Sequence, residues 1–592
     1  MNSAQRFSAR IVFGLMCLGA LALAGGLYWN QIVKGRAYSA QADRQYAKPS
    51  VQHFSRGTIY FSEKDGTRIS AASVVTGYLA YMNPTVMADP THPTDPNEAY
   101  QAISQYISLD KKTFLEKASK SHDVYEELAH HLDQDKADAI IGLGLSGISV
   151  IPESWRSYPG DNLAAHALGI VSENASSSDV VGTYGLERSY QSTLGRTGSA
   201  SVANIFAQMF SDDSQASTSA ANLAASVPAT ALTKPGDIVT SIEPSVQSFL
   251  ETELAKTKNQ WHPSEIGGII MDPQTGEIIA MASLPTYNPN DSTTYKGVGV
   301  LTDPLVQHVY EMGSIMKPIT MSIALDTGAV TPTTTYDDTG CMTLNTKKIC
   351  NFDGKPRHVI PMQEILSQSL NVGAATIALK VGTDIGKGVF AKYLLNFGLG
   401  STTGIDLPNE ASGIVTNLKK SSDISVATAS YGQGIAVSPL EMIRALAVIS
   451  NGGYLVQPHV VREIDYQDGT VYKPTPKKTG PVISKKTADE VTDMLIVVVD
   501  KGLKYGALKM DRYTMAAKTG TAQIADPAAG GYYPDRYLHS FFGFLPARNP
   551  KYIVFLYQVY PKNVEYASQT LSDPYDEIAK FLIDYYNMTP DR

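Results

Sequence analysis

The chain has 592 residues, 43% of them hydrophobic and 18% charged, with a formal net charge of −8. That length exceeds a single core and points to two to four domains. The charge is below the roughly one-quarter of an average protein and includes no basic block, which argues against a nucleic-acid partner.

Ile11 to Trp29 is an uncharged apolar run, about 28 Å long as a helix and so close to the thickness of a bilayer's hydrocarbon core. Arg6 and Arg10 precede it, and Tyr28 and Trp29 close it as interfacial aromatics would. The expectation is a cytoplasmic tail over 1–10, a transmembrane anchor over 11–30 and an exported remainder in the cell membrane. A cleaved signal peptide is the rival, since Ala22-Leu23-Ala24 resembles a cleavage site; the apolar run continues past it, which favours a retained anchor.

Gln31 to Ser55 is polar and suits a helical stalk, and Ser55 to Thr67 reads as strand, turn, strand. Asn83 to Asn97 holds Pro84, Pro90, Pro93 and Pro96 and is expected to be irregular. Helical spacing over 98–141 predicts a small helical insert. Short helices follow at Leu163–Gly169 and from Gly185, and Ser211 to Ala225 reads as a linker closing a module over 31–235.

From residue 236 the pattern changes. Asp237–Ile242 predicts a strand, Val246–Leu254 a helix, and Gly267–Asp272 with Gly276–Met281 a hairpin. Helical patterns dominate Ser314 to Ala429, and strands return at Tyr513–Ile524, Ser540–Leu545 and Tyr552–Tyr557. Strands at both ends of a helical middle imply an α+β domain with one antiparallel sheet over 236–592.

Cysteine and histidine usage suggests no metal or cofactor. Cys341 and Cys350 flank two short strands around Asn345, a geometry open to a hairpin-closing disulfide or to two free thiols. The pair His130-His131 lacks further ligands at metal spacing.

The chemistry centres on Gly313-Ser314-Ile315-Met316-Lys317-Pro318. A three-residue spacing at a helix start puts hydroxyl and amine on one face, at the positive end of the helix dipole, as an activated serine requires. Acyl-serine enzymes acting on D-alanyl peptides carry S-x-x-K, S-x-N and K-T-G. Here each occurs twice: Ser108-Lys111 and Ser314-Lys317, Ser172-Asn174 and Ser369-Asn371, Lys478-Gly480 and Lys518-Gly520. Context selects the second set. Lys478-Thr479-Gly480 lies in a Pro- and Lys-rich run and precedes Pro481, which cannot donate to a ladder. Lys518-Thr519-Gly520-Thr521 continues a plausible strand whose edge can pair with a peptide. Ser108 sits beside Asp110 in the insert, a poor setting for an anion.

With these motifs, the sequence resembles class B penicillin-binding proteins, membrane-anchored peptidoglycan transpeptidases. The likeness extends to Arg56-Gly57, Arg156-Ser157-Tyr158-Pro159, Ala164–Gly169 and Gly185-Leu186-Glu187, and to Gly276–Ser283, Gly404–Pro408 and Tyr431-Gly432-Gln433-Gly434.

The resemblance implies that Ser314 is the nucleophile and Lys317 its base, with Ser369 a proton relay, Asn371 holding the substrate amide and Lys518 completing the catalytic set. Thr519, Gly520 and Thr521 would bind substrate, and the N–H groups of Ser314 and Thr521 would form the oxyanion hole. It further implies peptidoglycan stem peptides and β-lactams as ligands and a polytopic SEDS-type glycosyltransferase as partner. A β-lactam sensor, a carboxypeptidase and a non-catalytic scaffold are the competing readings. Arg56, Arg156, His166 and Glu187 are expected to be structural, as is His308.

Overall fold

The computed structural model describes residues 55–90, 94–173, 180–196, 234–297, 299–419 and 422–592. The expected tail, anchor and stalk, the Ser211–Ala225 linker and Asn174 lie outside these residues. No helix among the described residues is long and apolar enough to cross a membrane.

The chain forms two compact units that do not follow linear order. The smaller comprises described residues from 75 to 155. It is not purely helical: helices Pro96–Ile103, Lys111–Ala118 and Gln134–Gly142 are joined by a strand, Glu126–Leu132, that pairs with the outer half of the long strand Arg68–Met82. The small core includes Met82, Ala99, Ile103, Phe114, Leu132 and Ile140. The proline-rich stretch expected to be irregular instead starts two helices. Pro84 and Pro96 occupy first-turn positions, where a missing N–H costs nothing, and Asn83 and Asp95 cap them.

The larger unit takes in 55–74 and everything described from Arg156 onward. Its centre is a five-stranded antiparallel sheet formed by β1 (Glu265–Met271), β2 (Ile278–Leu284), β3 (Ala516–Ala525), β4 (Tyr532–Leu545) and β5 (Tyr552–Val559). The order is β3-β4-β5-β1-β2, so β3 is an edge strand. Helix α1 (Pro244–Trp261) starts two residues before and ends seven residues after the Val246–Leu254 stretch that its apolar spacing indicates. Glu243 caps it, Pro244 starts it, and His262 in the left-handed region stops it before Pro263. Around the sheet lie α2 (Lys317–Asp326), α3 (Asn371–Asp384), α4 (Pro439–Ser450), α5 (Lys485–Val497) and α6 (Ser572–Tyr585). Helix α2 is buried from Lys317 to Leu325 and packs on α3, α4 and α5, while α1 and α6 pack on each other. The helical middle is interrupted by two hairpins, Thr335–Asp338 with His358–Pro361 and Cys341–Leu344 with Lys347–Cys350.

Residues from the first part of the chain are built into this unit. Ile59–Ser62 pairs in parallel with Gly236–Thr240, which pairs antiparallel with Val461–Tyr466. Beside them, Arg56 and Arg156 both grip Glu187: Arg56 through Nε to the carboxylate and Nη2 to the backbone carbonyl (2.7 Å), Arg156 through Nε to Oε1 (2.7 Å). Arg56 also donates to Gln191 (2.8 Å) and Arg156 to the Gly57 carbonyl (2.8 Å). All three charged side chains are at most 1% exposed, so the cluster is structural, as expected from sequence. Removing one partner of such a buried set leaves unpaired charge, which costs about 3–5 kcal/mol. Glu187→Gln is therefore expected to lower the unfolding midpoint of this unit in a urea titration followed by tryptophan and tyrosine fluorescence. An unchanged midpoint would refute the buried-cluster account.

Candidate active site

Gly313 adopts φ +66°, and Ser314 follows it in a 3₁₀ turn, Gly313–Met316, that feeds directly into α2. The turn is wedged between two other segments. Gly313 N–H donates to the Gly432 carbonyl (3.1 Å), and a Cβ at Gly313 would come within 2.8 Å of the Thr521 carbonyl. On the facing strand, a Cβ at Gly520 would lie 2.3 Å from Ser540 Oγ, the hydroxyl that donates to the Met312 carbonyl (2.8 Å). Only glycine allows these backbones to approach so closely.

Lys317, the first residue of α2, is 1% exposed. Its Nζ lies 2.9 Å from Ser314 Oγ, 2.6 Å from the Ser369 carbonyl, 2.8 Å from Asn371 Oδ1 and 3.2 Å from Ser369 Oγ. The Ser369 carbonyl and Asn371 Oδ1 can only accept hydrogen bonds, so they take both N–H groups of a neutral amine. The lone pair is then left for the Ser314 hydroxyl. Burial, and after it the neighbouring Lys518, pushes the Lys317 ammonium well below the usual lysine range. Lys518, on β3, is equally buried; burial brings it down to about 7. Its Nζ donates to Ser369 Oγ (3.1 Å) and the Thr519 carbonyl (2.9 Å), so one hydroxyl bridges the two amines.

Ser369 holds a left-handed backbone, φ +55°, costly for a residue with a side chain and sustained by the packing around it. Asn371 is oriented from behind by its Nδ2, which donates to the Cys350 carbonyl (3.0 Å). Because a carbonyl cannot donate, this bond fixes Oδ1 toward Lys317. Cys350 is joined to Cys341 by a disulfide across the hairpin, which resolves the alternative left open by the sequence. The adjacent Asn351 accepts from the Val372 N–H at the start of α3 (3.1 Å) and is itself held by Asp338. Nothing in the sequence pattern foretold that this hairpin supports the Asn371 amide.

On β3, Thr519 and Thr521 are part-exposed and Gly520 lies between them, opposite Phe541, His539 and Ser540 of β4 respectively. Thr521 Oγ1 accepts from the Ala567 N–H (3.1 Å), leaving its own hydroxyl hydrogen available to donate. The structure thus brings Ser314, Lys317, Ser369, Asn371 and Lys518 together beside an edge strand bearing Thr519, Gly520 and Thr521. The duplicate motifs are elsewhere: Ser108 is exposed in the smaller unit, and Lys478-Thr479 forms an exposed two-residue strand with Leu455-Val456. Glu265 holds His308 through Oε2 (3.1 Å) and also accepts from Tyr310 and Tyr557, a structural arrangement. Among the described residues, no group of three His, Cys, Asp or Glu side chains is arranged to hold a metal.

A serine beside a buried lysine pair, on a helix start packed against a sheet edge, defines an acyl-serine enzyme fold. The penicillin-binding protein transpeptidase domain model matches residues 266–583, and the penicillin-binding protein dimerisation domain model matches 55–206. The chain therefore belongs to the penicillin-binding transpeptidase family. Its relatives include stage V sporulation protein D of Bacillus subtilis, 28% identical over 83% of this chain and 73% of that protein. Peptidoglycan D,D-transpeptidase FtsI of Buchnera aphidicola is 27% identical over 95% and 92%. Among solved structures, penicillin-binding protein 2X of Streptococcus thermophilus aligns with a TM-score of 0.69 at 22% identity, over 90% of this chain and 80% of that one. Penicillin-binding protein 3 of Mycobacterium tuberculosis, complexed with aztreonam, gives 0.66 at 22%, over 91% and 97%. These likenesses share the mixed α+β fold.

The lysine pair sets the pH response. With Lys317 expected as the base, the acylation rate should rise as pH climbs through the lowered pKa of that amine and level off above it. Replacing Lys518 by alanine removes a neighbouring positive charge, so the rising limb should move to higher pH, as read from penicillin acylation rates across the acidic and neutral range. A limb that stays in place would show that Lys518 does not tune Lys317. Separately, Cys341→Ala with Cys350→Ala frees the carbonyl that orients Asn371. Small misplacements of catalytic groups cost about tenfold or more, so acylation, measured well below the melting temperature that the lost crosslink lowers, should slow by about that factor; an unchanged rate would refute the supporting role.

Proposed function

We propose that this chain is a peptidoglycan D,D-transpeptidase, a serine-type enzyme that crosslinks stem peptides and is covalently acylated by β-lactams. The observation that carries the reading is Lys317: a buried amine whose two N–H groups face acceptors and whose remaining valence faces Ser314 Oγ at 2.9 Å. The relatives named as D,D-transpeptidases support it.

Ser314 Oγ attacks the carbonyl carbon of the penultimate D-alanine of a stem pentapeptide as its proton passes to Lys317. The peptide extends along the free edge of β3, its terminal carboxylate meeting the hydroxyls of Thr519 and Thr521 and the Lys518 side chain. Backbone N–H groups of Ser314 and Thr521 receive the developing oxyanion, a contact worth about 3–4 kcal/mol per donor. Asn371 holds the substrate amide. Ser369 Oγ, within 3.2 Å of both lysine amines, relays the proton to the leaving nitrogen, and D-alanine departs. The acyl group on Ser314 then passes to an amine of a neighbouring strand. A β-lactam follows the first half of this course and stops at the ester.

In this reading the N-terminal run over 11–30 anchors the protein in the cell membrane with the tail over 1–10 in the cytoplasm. The module over 31–235 precedes the transpeptidase domain over 236–592 in the chain. A polytopic SEDS-type glycosyltransferase supplies the strands to be crosslinked.

Fluorescent penicillin is expected to label the wild-type chain covalently, to lose labelling on Ser314→Ala and to keep it on Ser108→Ala. Labelling retained by Ser314→Ala would overturn the assignment. Crosslinked dimers formed from lipid-linked substrate with a partner polymerase would be the product; shortened monomers alone would make the enzyme a carboxypeptidase.

A further inference from the structure

Three residues before the nucleophile, Glu311 carries a carboxylate that the protein only half satisfies. Its Oε1 accepts from the Gly434 N–H (2.9 Å) and the Tyr532 hydroxyl (3.2 Å). Its Oε2 is buried with no hydrogen-bond partner among the described residues. Burial raises its pKa; the groups opposing that rise are the Gly434 N–H and the Tyr532 phenol, and no cation is among them. A second phenol, Tyr431, lies close enough for this carboxylate, after burial, to help push it up to about 12. The contrast with Glu187, gripped by two arginines, is one of chemistry: among the described residues Glu311 accepts from neutral donors alone.

The carboxylate is tied to the reactive centre from both sides. Gly434 belongs to the turn whose Gly432 carbonyl accepts from Gly313, the residue before the nucleophile. Tyr532 opens β4 opposite Ala525, at the far end of the strand that carries Lys518, Thr519 and Thr521. Glu311 thus stands where the nucleophile turn, the Gly432–Gly434 turn and the end of the substrate strand meet. The phenol on Oε1 carries no charge, and an ammonium in its place would add the attraction of an ion pair to the hydrogen bond.

Resting on the transpeptidase reading above, we propose that Glu311 is the docking point for the acceptor amine, and that the incoming ammonium displaces the Tyr532 hydroxyl from it. The ammonium pairs with the carboxylate and gives it one proton, becoming a neutral amine. The amine nitrogen attacks the acyl carbon; the new C–N bond forms as the C–O bond to Ser314 Oγ breaks. The second proton leaving nitrogen returns through Lys317 to Ser314 Oγ, and the Glu311 carboxyl releases its proton to solvent. Water gains no such ion pair, so the site favours aminolysis over hydrolysis.

The test uses the full chain in detergent, a D-alanyl thioester as donor and D-alanine as the acceptor probe, with the amide-to-acid product ratio measured against acceptor concentration. Glu311→Gln keeps an oxygen for the Gly434 N–H and removes the charge. A hydrogen bond to a charged group is worth roughly 1.5–3 kcal/mol, so the acceptor KM should rise about tenfold or more, with the ratio falling accordingly. Tyr532→Phe removes the competing donor and should lower the acceptor KM by two- to threefold, an opposite sign that general loosening of the fold would not produce. An acceptor KM unchanged in Glu311→Gln, or raised in Tyr532→Phe, overturns the inference. A wild-type chain that the thioester does not acylate overturns the transpeptidase reading itself, and this one with it.

Discussion

The site depends on keeping an amine neutral where an ammonium would be normal. Two lysines, Lys317 and Lys518, are buried within reach of one hydroxyl, Ser369 Oγ. Two ammonium ions so placed would repel in a poorly screened interior, and among the described residues neither is paired with a carboxylate to offset the desolvation. Deprotonation is the cheaper solution, and it leaves an amine lone pair beside Ser314 Oγ. The surrounding acceptors then decide where the lone pair points. Had Asn371 presented its amide nitrogen to Lys317, a donor would have faced a donor; the Cys350 carbonyl prevents that from behind.

The groups gathered at the site come from three separate segments, so their alignment is a property of backbone packing. The turn bearing Ser314 and the strand bearing Lys518 meet where Gly313 and Gly520 permit contacts that any Cβ would forbid, Gly432 lets a further turn close on Gly313, and the loop bearing Ser369 joins them through its contacts with Lys317 and Lys518. Ser540 reinforces the junction by fastening the Met312 carbonyl. The strain accepted at Ser369 belongs to the same arrangement, since its left-handed backbone accompanies a carbonyl and a hydroxyl that both face Lys317.

Much of this was legible in the sequence because it rests on local rules. The three-residue spacing of Ser314 and Lys317, the glycine before the serine and the strand character around Lys518 each follow from short-range geometry; the spacing recurs at Ser108-Lys111, and it is the setting of each motif that separates the second set from its duplicates. What could not be read depends on distant partners. The strand Glu126–Leu132 follows a helical stretch and is fixed by pairing with Arg68–Met82. The Cys341–Cys350 hairpin reads as a hairpin, yet its bond to Asn371 spans 21 residues and needs the fold to exist first. Glu311 gave no signal at all, because its unpartnered oxygen is a statement about everything that fails to surround it.

The interleaving of the chain has a physical consequence for what counts as the catalytic body. Ile59–Ser62 is an interior strand between Gly236–Thr240 and Arg68–Met82, so it supplies hydrogen bonds on both edges. A fragment beginning at residue 236 would expose the edge of Gly236–Thr240 and leave Ile238, fully buried here, against water on that side. It would also lose Arg56, Arg156 and Glu187 together, which spares an unpaired buried charge but removes the cluster that ties Gly57 beside the sheet. The sequence division at 235 therefore separates motifs. The unit that holds Ser314 in place begins with the residues around Arg56.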